Sequence, residues 1–274
     1  MEVFNFERDQ KAIENLHEIL FGNYNVVVIT GAGISTLSGI SDFRGINGLY
    51  ARNPENIKKF YREYLENDPK GFYDFYTSQM MHEGIKPNIV HEVLAKLEER
   101  GLINLIITQN IDGLHEAAGS KKVINLHGDG TKFYCVNCRK DYTAEEYKKG
   151  YDVVDENREE KHIDGYICKD CGSIVRPAAA LYDEPLFLPD ALKAEQAMKD
   201  ADKVVVLGSS LTVNTVEALL YTFINNKIGF LRKDIVIINN DSTRFDDYSY
   251  RSAEHLRRVF RRVNAQEIET SKKH

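Results

Sequence analysis

The sequence contains no apolar run that approaches the roughly 18 residues of a membrane-spanning helix. Its first 20 residues interleave charged and apolar positions, unlike a secretory signal peptide. Lysine and arginine form no long cluster and the net charge is −6, which argues against nucleic-acid binding as the main task. Internal repeats and low-complexity segments are also absent. These absences predict a soluble, cytoplasmic protein that has neither a direct nucleic-acid partner nor a membrane partner.

Cysteine is scarce, since the 274 residues contain only four. They form two CxxC pairs, which comprise Cys135, Cys138, Cys168 and Cys171. In an intracellular chain such pairs favour a metal site over two disulfides. Four thiolates at this spacing are typical of a tetrahedral zinc ion without an open position, and such a site is structural rather than catalytic. A redox CxxC is the weaker alternative, because one pair suffices for it and neither pair follows a predicted strand.

The stretch from Asn25 to Arg44 indicates a nucleotide site. It opens with an apolar, β-branched run typical of a buried strand, and Gly31-Ala32-Gly33 follows at once. A strand that leads through such a turn into a helix is how dinucleotide pyrophosphates are held. The third glycine of GxGxxG is replaced by Thr36, and no acidic residue follows at about 20 residues, so a dehydrogenase is not expected. The alternative is an ordinary strand–turn–helix of an α/β protein.

Four further strands are predicted, over 102–108, 123–126, 204–207 and 235–238, and polar or glycine-rich segments follow them. These segments contain Gln109, Asn110 and Asp112 after the first, His127 after the second, Gly208 and Ser209 after the third, and Asn239 after the fourth. Ligands of open parallel sheets bind at the carboxyl ends of the strands. Helices are predicted over 7–21, 88–100, 188–201, 212–226 and 252–263, and the aromatic-rich stretch 45–86 predicts several short helices. The fold class is therefore α/β with a Rossmann-like parallel sheet.

Each candidate side chain has a structural alternative. His127 suits a general base because an unperturbed histidine titrates near neutral pH, although lone histidines are more often structural. Asn110 and Asp112 are suited to anchor a carboxamide or a water, or to cap the helix that follows. Asp42 and Arg44 could pair and simply hold a loop. Asn239 could bind a ribose hydroxyl or cap a turn.

Taken together, these stretches resemble the sirtuins, the NAD-dependent protein deacylases. The matching stretches are GAGISTLSGISDFRG (31–45), TQNIDGLHEAAG (108–119), NLHG (125–128), VRPAAALYDEPL (175–186), GSSLTV (208–213), INNDSTRFD (238–246) and the two CxxC pairs. They follow the family's order and span nearly the whole chain. The resemblance implies a Rossmann-like domain with an inserted zinc-ribbon and helical module, one structural zinc ion, and NAD and an acyl-lysine peptide in the cleft between them.

The resemblance also divides the chain and assigns roles. The Rossmann-like domain would comprise 1–44, 87–131 and 176–274, with a helical insertion at 45–86 and a zinc-binding module at 132–175. The NAD-binding residues would be Gly31, Ala32, Gly33, Asp42, Phe43, Arg44, Gln109, Asn110, Asp112, Gly208, Ser209 and Asn239. Among these, Phe43 would shield the nicotinamide side and Asp112 would hold the carboxamide. His127 would be the general base that takes a proton from a ribose hydroxyl, with Asn110 and Asp112 beside it as catalytic residues.

The sequence departs from the family pattern in three places. Ser41 and Thr215 stand where sirtuins usually have proline, and 178–183 lacks the usual valines and Phe-Gly. The last two departures lie where the family clamps its peptide substrate as an added strand, so the NAD half is better supported than the peptide half. Sirtuins selective for succinyl-lysine are expected to carry Tyr and, three positions later, Arg in the helical insertion. Here Tyr76 is followed by Gln79, which predicts a preference for neutral acyl groups.

Two other functions are compatible with the same residues. An ADP-ribosyltransferase or NAD glycohydrolase would use NAD with a different acceptor, and a non-catalytic module would only sense NAD. The presence of His127 favours the deacylase, because transfer to water or to a side chain needs no base for the ribose hydroxyl. Asn110 and Asp112 together with His127 disfavour a non-catalytic module.

Overall fold

The computed structural model describes residues 6–82, 84–154, 156–227, 229, 231–253 and 256–271. The strands in chain order are β1 Val26–Thr30, β2 Leu105–Thr108, β3 Val123–Asn125, β4 Gly128–Cys135, β5 Asp141–Tyr142, β6 Tyr151–Val154, β7 Glu160–Ile163, β8 Val175–Ala179, β9 Lys203–Leu207, β10 Ile235–Ile238 and β11 Tyr250–Ser252. The α-helices are α1 Phe6–Phe21, α2 Leu49–Arg52, α3 Arg62–Asn67, α4 Pro69–Gln79, α5 Ile89–Glu99, α6 Leu114–Ala117, α7 Ala144–Lys149, α8 Leu188–Asp200, α9 Asn214–Asn226 and α10 Leu256–Ser271. No helix within these ranges has the length and apolar character needed to cross a membrane.

Six parallel strands form the main sheet in the order β11-β10-β9-β1-β2-β3. Strands β1, β9 and β10 are buried at every position, which explains their continuous β-branched sequences. The chain adds β2 and β3 on one side of β1, and later adds β9, β10 and β11 on the other side. The strand order therefore reverses between β1 and β9. Such a switch point opens a crevice at the carboxyl ends of the strands. The Rossmann-like sheet predicted from the sequence is confirmed.

Apolar clusters cover both faces of the main sheet. One cluster contains Leu16 of α1, Leu94 of α5 and Phe260 of α10, and the other contains Met198 of α8 and Phe223 of α9, all of them buried. The predicted amphipathic helices therefore lie where they shield the sheet from water, and that burial is the main favourable contribution to folding.

Two predicted helices differ in type or in starting position from the structure. The turn after β1 does not enter an α-helix, since Ala32–Ser38 forms a 3₁₀ helix. The helix predicted over 252–263 begins at Leu256, because Tyr250–Ser252 forms the edge strand β11 beside β10. Three residues with a buried arginine carry too weak a periodic signal to be recognised as a strand.

The helical insertion and the cysteine-containing segment share one apolar core. The insertion consists of α2, a 3₁₀ helix at Pro54–Phe60, α3 and α4. The cysteine segment contains the antiparallel sheet β5-β4-β8, the hairpin β6-β7 and α7. Tyr73 and Tyr76 of α4 pack against Phe133 and Tyr147, whose rings stack with centroids 4.2 Å apart. The many aromatic residues of 45–86 therefore form an interface with the small sheet.

Candidate cofactor and catalytic site

The loops after β1 and β9 cross in contact at the switch point of the main sheet. The amide of Gly33 donates to the carbonyl of Gly208 at 2.9 Å, and the amide of Gly31 donates to Leu207 at 3.0 Å. A Cβ on Gly31 would lie 2.7 Å from the carbonyl oxygen of Gly208. Gly208 itself has φ +60°, and a Cβ there would lie 2.6 Å from the backbone nitrogen of Ile34. These glycines are needed for the close approach of the two backbones at the carboxyl ends of β1 and β9.

Gln109 connects the β2 end to both neighbouring strands. Its backbone amide donates to the Thr30 carbonyl at 2.9 Å, and its side-chain amide donates to the Ser209 hydroxyl at 2.7 Å. Its carbonyl oxygen lies 3.0 Å from Nδ1 of His127. Three predicted site residues, Gln109, Ser209 and His127, are therefore joined in one continuous hydrogen-bonded chain.

A polar triad lies beside this chain, in which Ser35 and Asn110 are buried and Asp112 is half-buried. Asn110 donates to the Gly31 carbonyl at 3.2 Å and to the Ser35 hydroxyl at 3.1 Å, and Ser35 donates to Asp112 at 2.6 Å. The other carboxylate oxygen of Asp112 accepts from the Leu114 amide at 3.0 Å. Burial raises the pKa of Asp112, and the Ser35 hydrogen bond opposes that rise. Because the Asn110 amide donates to Gly31 and to Ser35, its carbonyl oxygen and the Asp112 carboxylate remain as acceptors for the NH₂ group of a carboxamide.

The structure bears on the two alternatives for Asp112, which are a role at the ligand site and capping of the helix that follows. Asp112 does cap the short helix α6, because its carboxylate accepts from the Leu114 amide. The same carboxylate also belongs to the triad, so capping accounts for only one of its oxygens. Ser35 was missed by the sequence reasoning, which treated the residues after Gly33 as a helix start. Its position in the quoted stretch GAGIST was the available signal.

The hydrogen bonds of His127 define which nitrogen can accept a proton. A carbonyl oxygen only accepts, so Nδ1 of the neutral ring must carry the hydrogen that points to Gln109. Nε2 therefore presents its lone pair, and it lies 3.4 Å from the Thr215 hydroxyl. Burial lowers the pKa of His127, which keeps the ring neutral near pH 7. A neutral imidazole with a defined tautomer is the form that acts as a general base.

The Asp42–Arg44 turn is held by its own backbone and by aromatic rings. Asp42 accepts from the Gly45 amide at 3.0 Å, and Phe43 packs on Tyr50 with ring centroids 5.6 Å apart. Arg44 does not take Asp42 as its hydrogen-bond partner in the described contacts, because its guanidinium donates to the Tyr182 hydroxyl at 3.3 Å. The alternative in which Asp42 and Arg44 merely pair with each other was therefore wrong.

Asn239 lies at the end of β10, on the same edge of the sheet. Its side-chain amide donates to the Asp241 carbonyl at 2.9 Å, and its backbone amide donates to Ser252 at 3.0 Å. The buried guanidinium of Arg251 donates to the carbonyl oxygens of Asn239 and Asn240. The side chain of Asn239 thus stabilises a turn, as one of its two alternatives states, and its role toward a ribose stays a prediction.

Tyr76 does not lie where the acyl-group prediction placed it. Its side chain is buried in the aromatic core, and its hydroxyl donates to the Gly130 carbonyl at 3.0 Å. Gln79 is an exposed residue at the end of α4. The tyrosine therefore cannot contact an acyl group without leaving the core. The preference for neutral acyl groups stays a prediction without this residue pair as its basis.

The four cysteine sulfurs form a candidate metal site. All four Sγ atoms lie within 4.8 Å of one another, and the pairs Cys135–Cys171 and Cys138–Cys168 are each 3.5 Å apart. Tetrahedral zinc with Zn–S bonds of about 2.3 Å requires sulfurs separated by about 3.8 Å. Tyr142 donates to Cys168 at 3.1 Å, which orients one thiolate from outside the cluster. The donor set and its spacing fit one closed, structural zinc site.

Comparison with known proteins agrees with this geometry. The sequence model of the Sir2 family matches residues 31–215. The NAD-dependent protein deacetylase of Staphylococcus aureus (strain MRSA252) is 39% identical over 237 residues, which cover 84% of this chain and 91% of that protein. The protein of the same name from Clostridium tetani (strain Massachusetts / E88) is 37% identical over 241 residues and covers 85% of this chain and 89% of its own length.

Two solved structures with the same fold contain ligands. A Sir2 variant with a deacetylated p53 peptide and 3′-O-acetyl-ADP-ribose has a TM-score of 0.80 at 36% identity, covering 93% of this chain and 98% of that one. Sir2 with a p53 peptide and NAD⁺ has a TM-score of 0.77 at 35% identity, with the same coverage. Since the family model matches more than half of the sequence and the relatives match most of it, this chain belongs to the Sir2 family.

Proposed function

We propose that this protein is an NAD-dependent protein lysine deacylase. It moves the acyl group from a lysine side chain to ADP-ribose and releases nicotinamide and O-acyl-ADP-ribose. The observation that carries the proposal is the polar set at the switch point, where the Asn110–Ser35–Asp112 triad and the neutral ring of His127 lie at the ends of neighbouring strands. The relatives named NAD-dependent protein deacetylase, and the similar structure with peptide and acetylated ADP-ribose, support it.

The residues at the sheet edge fit a dinucleotide. Where the two loops cross, Gly31, Ala32 and Gly33 would hold the phosphates, with Gly208, Ser209 and Asn239 on the adenosine half. The fit rests on the crossing itself, where a side chain on Gly31, Gly33 or Gly208 would meet the backbone. Bound NAD supplies a good leaving group, nicotinamide, and an electrophilic ribose carbon. The chain's own task is then to hold these groups and to move protons.

The nicotinamide end has its own group of residues. Asp112 would accept a hydrogen bond from the carboxamide NH₂, and Asn110 would line the same pocket. Gln109 would contact the nicotinamide ribose, and Phe43 would exclude water from its face. Ser35 supports this pocket by holding the Asp112 carboxylate at 2.6 Å. A carboxylate fixed from one side cannot rotate away from its ligand, so its orientation is set before binding.

His127 would act as the general base through Nε2. The Gln109 carbonyl fixes the tautomer, and burial keeps the ring neutral. A ribose hydroxyl that approaches Nε2 would replace or share the contact with Thr215. Proton removal from that hydroxyl would let its oxygen bond to the acyl carbon, and the carbon–nitrogen bond to the lysine would then break to release the free amine. One water molecule would supply the remaining oxygen of O-acyl-ADP-ribose.

The remaining assignments concern organisation and partners. We propose the five segments given above as the domain division, and acylated-lysine proteins or peptides as substrates. Four cysteines that hold zinc must stay reduced, which favours a cytoplasmic location. We propose no direct nucleic-acid or membrane partner, in line with the net charge of −6.

The test is product identification with purified protein, NAD and an acetyl-lysine peptide. The deacylase requires both substrates and yields deacetylated peptide and O-acetyl-ADP-ribose in the mass spectrum. Free ADP-ribose formed without peptide would instead identify a glycohydrolase, and ADP-ribosylated peptide a transferase. NAD binding without turnover would identify a sensor. Ser38→Ala is a matched control for variants of the triad, because the Ser38 hydroxyl lies on the same 3₁₀ helix but contacts Asn88.

A further inference from the structure

Tyr182 makes a polar contact through its hydroxyl group, which a phenylalanine ring would lack. Its hydroxyl oxygen lies 3.3 Å from Nη2 of Arg44 and 3.1 Å from the hydroxyl oxygen of Tyr50. A guanidinium only donates, so the Tyr182 oxygen must accept from Arg44. Its own hydrogen, or that of Tyr50, then completes the contact between the two phenols. A single oxygen thus connects the 175–186 stretch to the Asp42–Arg44 turn.

The backbone of Tyr182 is fixed on the side of the helical insertion. Its amide donates to the Phe60 carbonyl at 2.8 Å, and its carbonyl accepts from the Arg62 amide at 3.3 Å. Its ring packs on Tyr61 with centroids 5.2 Å apart. The tyrosine ring therefore projects from a held segment, whereas the Arg44 side chain is exposed. In this pair Tyr182 is the fixed partner and Arg44 is the one that is held.

A buried ion pair also stabilises the segment that contains Tyr182. Arg176 donates to both carboxylate oxygens of Glu184, and one of these also accepts from the Leu181 amide at 2.8 Å. The Arg176 side chain is only 7% exposed, so the pair is largely shielded from solvent. The bend that carries Tyr182 is thus closed by side chains at both of its ends.

The segment also begins at the candidate base. The amide of Ala180 donates to the His127 carbonyl at 2.9 Å. Residues 180–182 therefore lead, within three positions, from the backbone of His127 to the hydroxyl that holds Arg44. This short segment therefore contacts both the backbone of His127, the candidate base, and the side chain of Arg44.

Arg44 has one other described contact, the face of the Tyr50 ring, with 5.6 Å between its guanidinium carbon and the ring centroid. Stacking of this kind fixes a guanidinium less sharply than a hydrogen bond does, because it leaves rotation over the ring open. Without the Tyr182 hydroxyl, Arg44 would keep the stacking but lose its directional partner.

We propose that Tyr182 is a positioning residue for NAD, which holds Arg44 in its binding orientation before the cofactor arrives. This inference rests on the proposed function. Because the hydroxyl acts on a cofactor contact and not on the reacting atoms, its loss raises the KM for NAD and leaves kcat nearly unchanged. A general loss of folded structure would instead lower kcat with the concentration of active enzyme.

The test is Tyr182→Phe, which removes one oxygen and keeps the ring. We expect the KM for NAD to rise by roughly fivefold, the scale of one partly exposed hydrogen bond to a charged group, with kcat within about twofold of wild type. Tyr61→Phe is the matched control, since it removes a hydroxyl from the ring packed against Tyr182, and it should keep the wild-type KM. An unchanged KM in Tyr182→Phe would overturn the proposal.

A double-mutant cycle identifies Arg44 as the partner. If Tyr182 acts through Arg44, adding Tyr182→Phe to Arg44→Ala should not raise the KM for NAD any further. Additive increases would mean that Tyr182 acts elsewhere and would contradict the proposal. Wild-type protein that binds NAD but does not deacetylate peptide would instead contradict the proposed function. NAD titration calorimetry on the same four proteins would then still test the Tyr182–Arg44 coupling by itself.

Discussion

The hydroxyl of Ser35 donates to the carboxylate of Asp112, with 2.6 Å between Ser35 Oγ and Asp112 Oδ2. Ser35 belongs to the 3₁₀ helix after β1, and Asp112 follows β2, so the bond ties together the ends of neighbouring strands. The same hydroxyl accepts from Asn110 at 3.1 Å. One small side chain thereby orients both groups that are proposed to hold the nicotinamide carboxamide.

Ser35→Ala is expected to weaken NAD use. Removal of the hydroxyl leaves Asp112 without the hydrogen bond that opposes the effect of burial, so the pKa of Asp112 rises further. We expect kcat/KM for NAD to fall about tenfold, the scale of one hydrogen bond to a charged group. Steady-state kinetics with varied NAD measure this. Ser38→Ala should retain wild-type kinetics, and equal losses in the two variants would contradict a specific role for Ser35.

His127→Ala is expected to lower deacylation by roughly 10²-fold or more while NAD binding is kept. The base must be neutral to act, and burial lowers the pKa of His127. Activity governed by this group should therefore persist below pH 6.5 and decline only at lower pH. His162→Ala, which removes an exposed histidine of the β6-β7 hairpin, is the control. Near-normal turnover in His127→Ala would exclude this residue as the base.

One zinc ion per chain is expected at the four cysteines. Cys138→Ser should release the metal and lower the melting temperature, because metal binding and folding of such small modules are coupled. Activity should fall as an indirect result, since the small sheet shares its core with the helical insertion. Elemental analysis measures the metal, and Lys140→Ala, which removes an exposed ion pair of the same segment, should retain it. Active, soluble protein without zinc would contradict this account.

Stability is expected to fall in acid because of two buried histidines. Burial lowers the pKa of His91 to about 4 and that of His115 to about 3, and their rings lie 5.0 Å apart. Above pH 6.5 both states of the protein hold these rings neutral. As the pH falls below 6.5, the unfolded chain gains protons that the folded protein does not, so the free energy of unfolding decreases.

The loss amounts to about 2 kcal/mol per histidine at pH 5. Urea unfolding at pH 7 and pH 5 measures it. An unfolding free energy that stays constant between these two pH values would show that the buried pair does not titrate in this way.

The sequence predicted the main sheet and the strand ends because buried parallel strands are short, continuous and β-branched. It missed β11, where Arg251 is fully buried and interrupts the apolar pattern. It also missed Ser35, because the contact with Asp112 joins positions 77 residues apart and no local pattern reports it. Tyr76 was misplaced for a related reason: α4 presents aromatic residues to the small sheet, and spacing alone does not say which partner a helix face meets.

Tyr182 lies in the 178–183 segment, one of the places where the sequence departs from the family pattern. The sequence identified 178–183 as unlike the family pattern and related that difference only to the peptide half. The structure connects Tyr182 to Arg44, one of the residues proposed to bind NAD. The contact of Thr215 with His127 is a second such case, since another departure from the pattern lies next to the proposed base.

The central claim is acyl transfer from lysine to ADP-ribose, and the most direct test is the stoichiometry of one reaction. Purified protein is incubated with NAD and an acetyl-lysine peptide, and deacetylated peptide, nicotinamide and O-acetyl-ADP-ribose are quantified together over time. The account predicts that all three form at equal rates and that none forms when either substrate is omitted. Nicotinamide released in excess over deacetylated peptide, or free acetate formed without NAD, would contradict it.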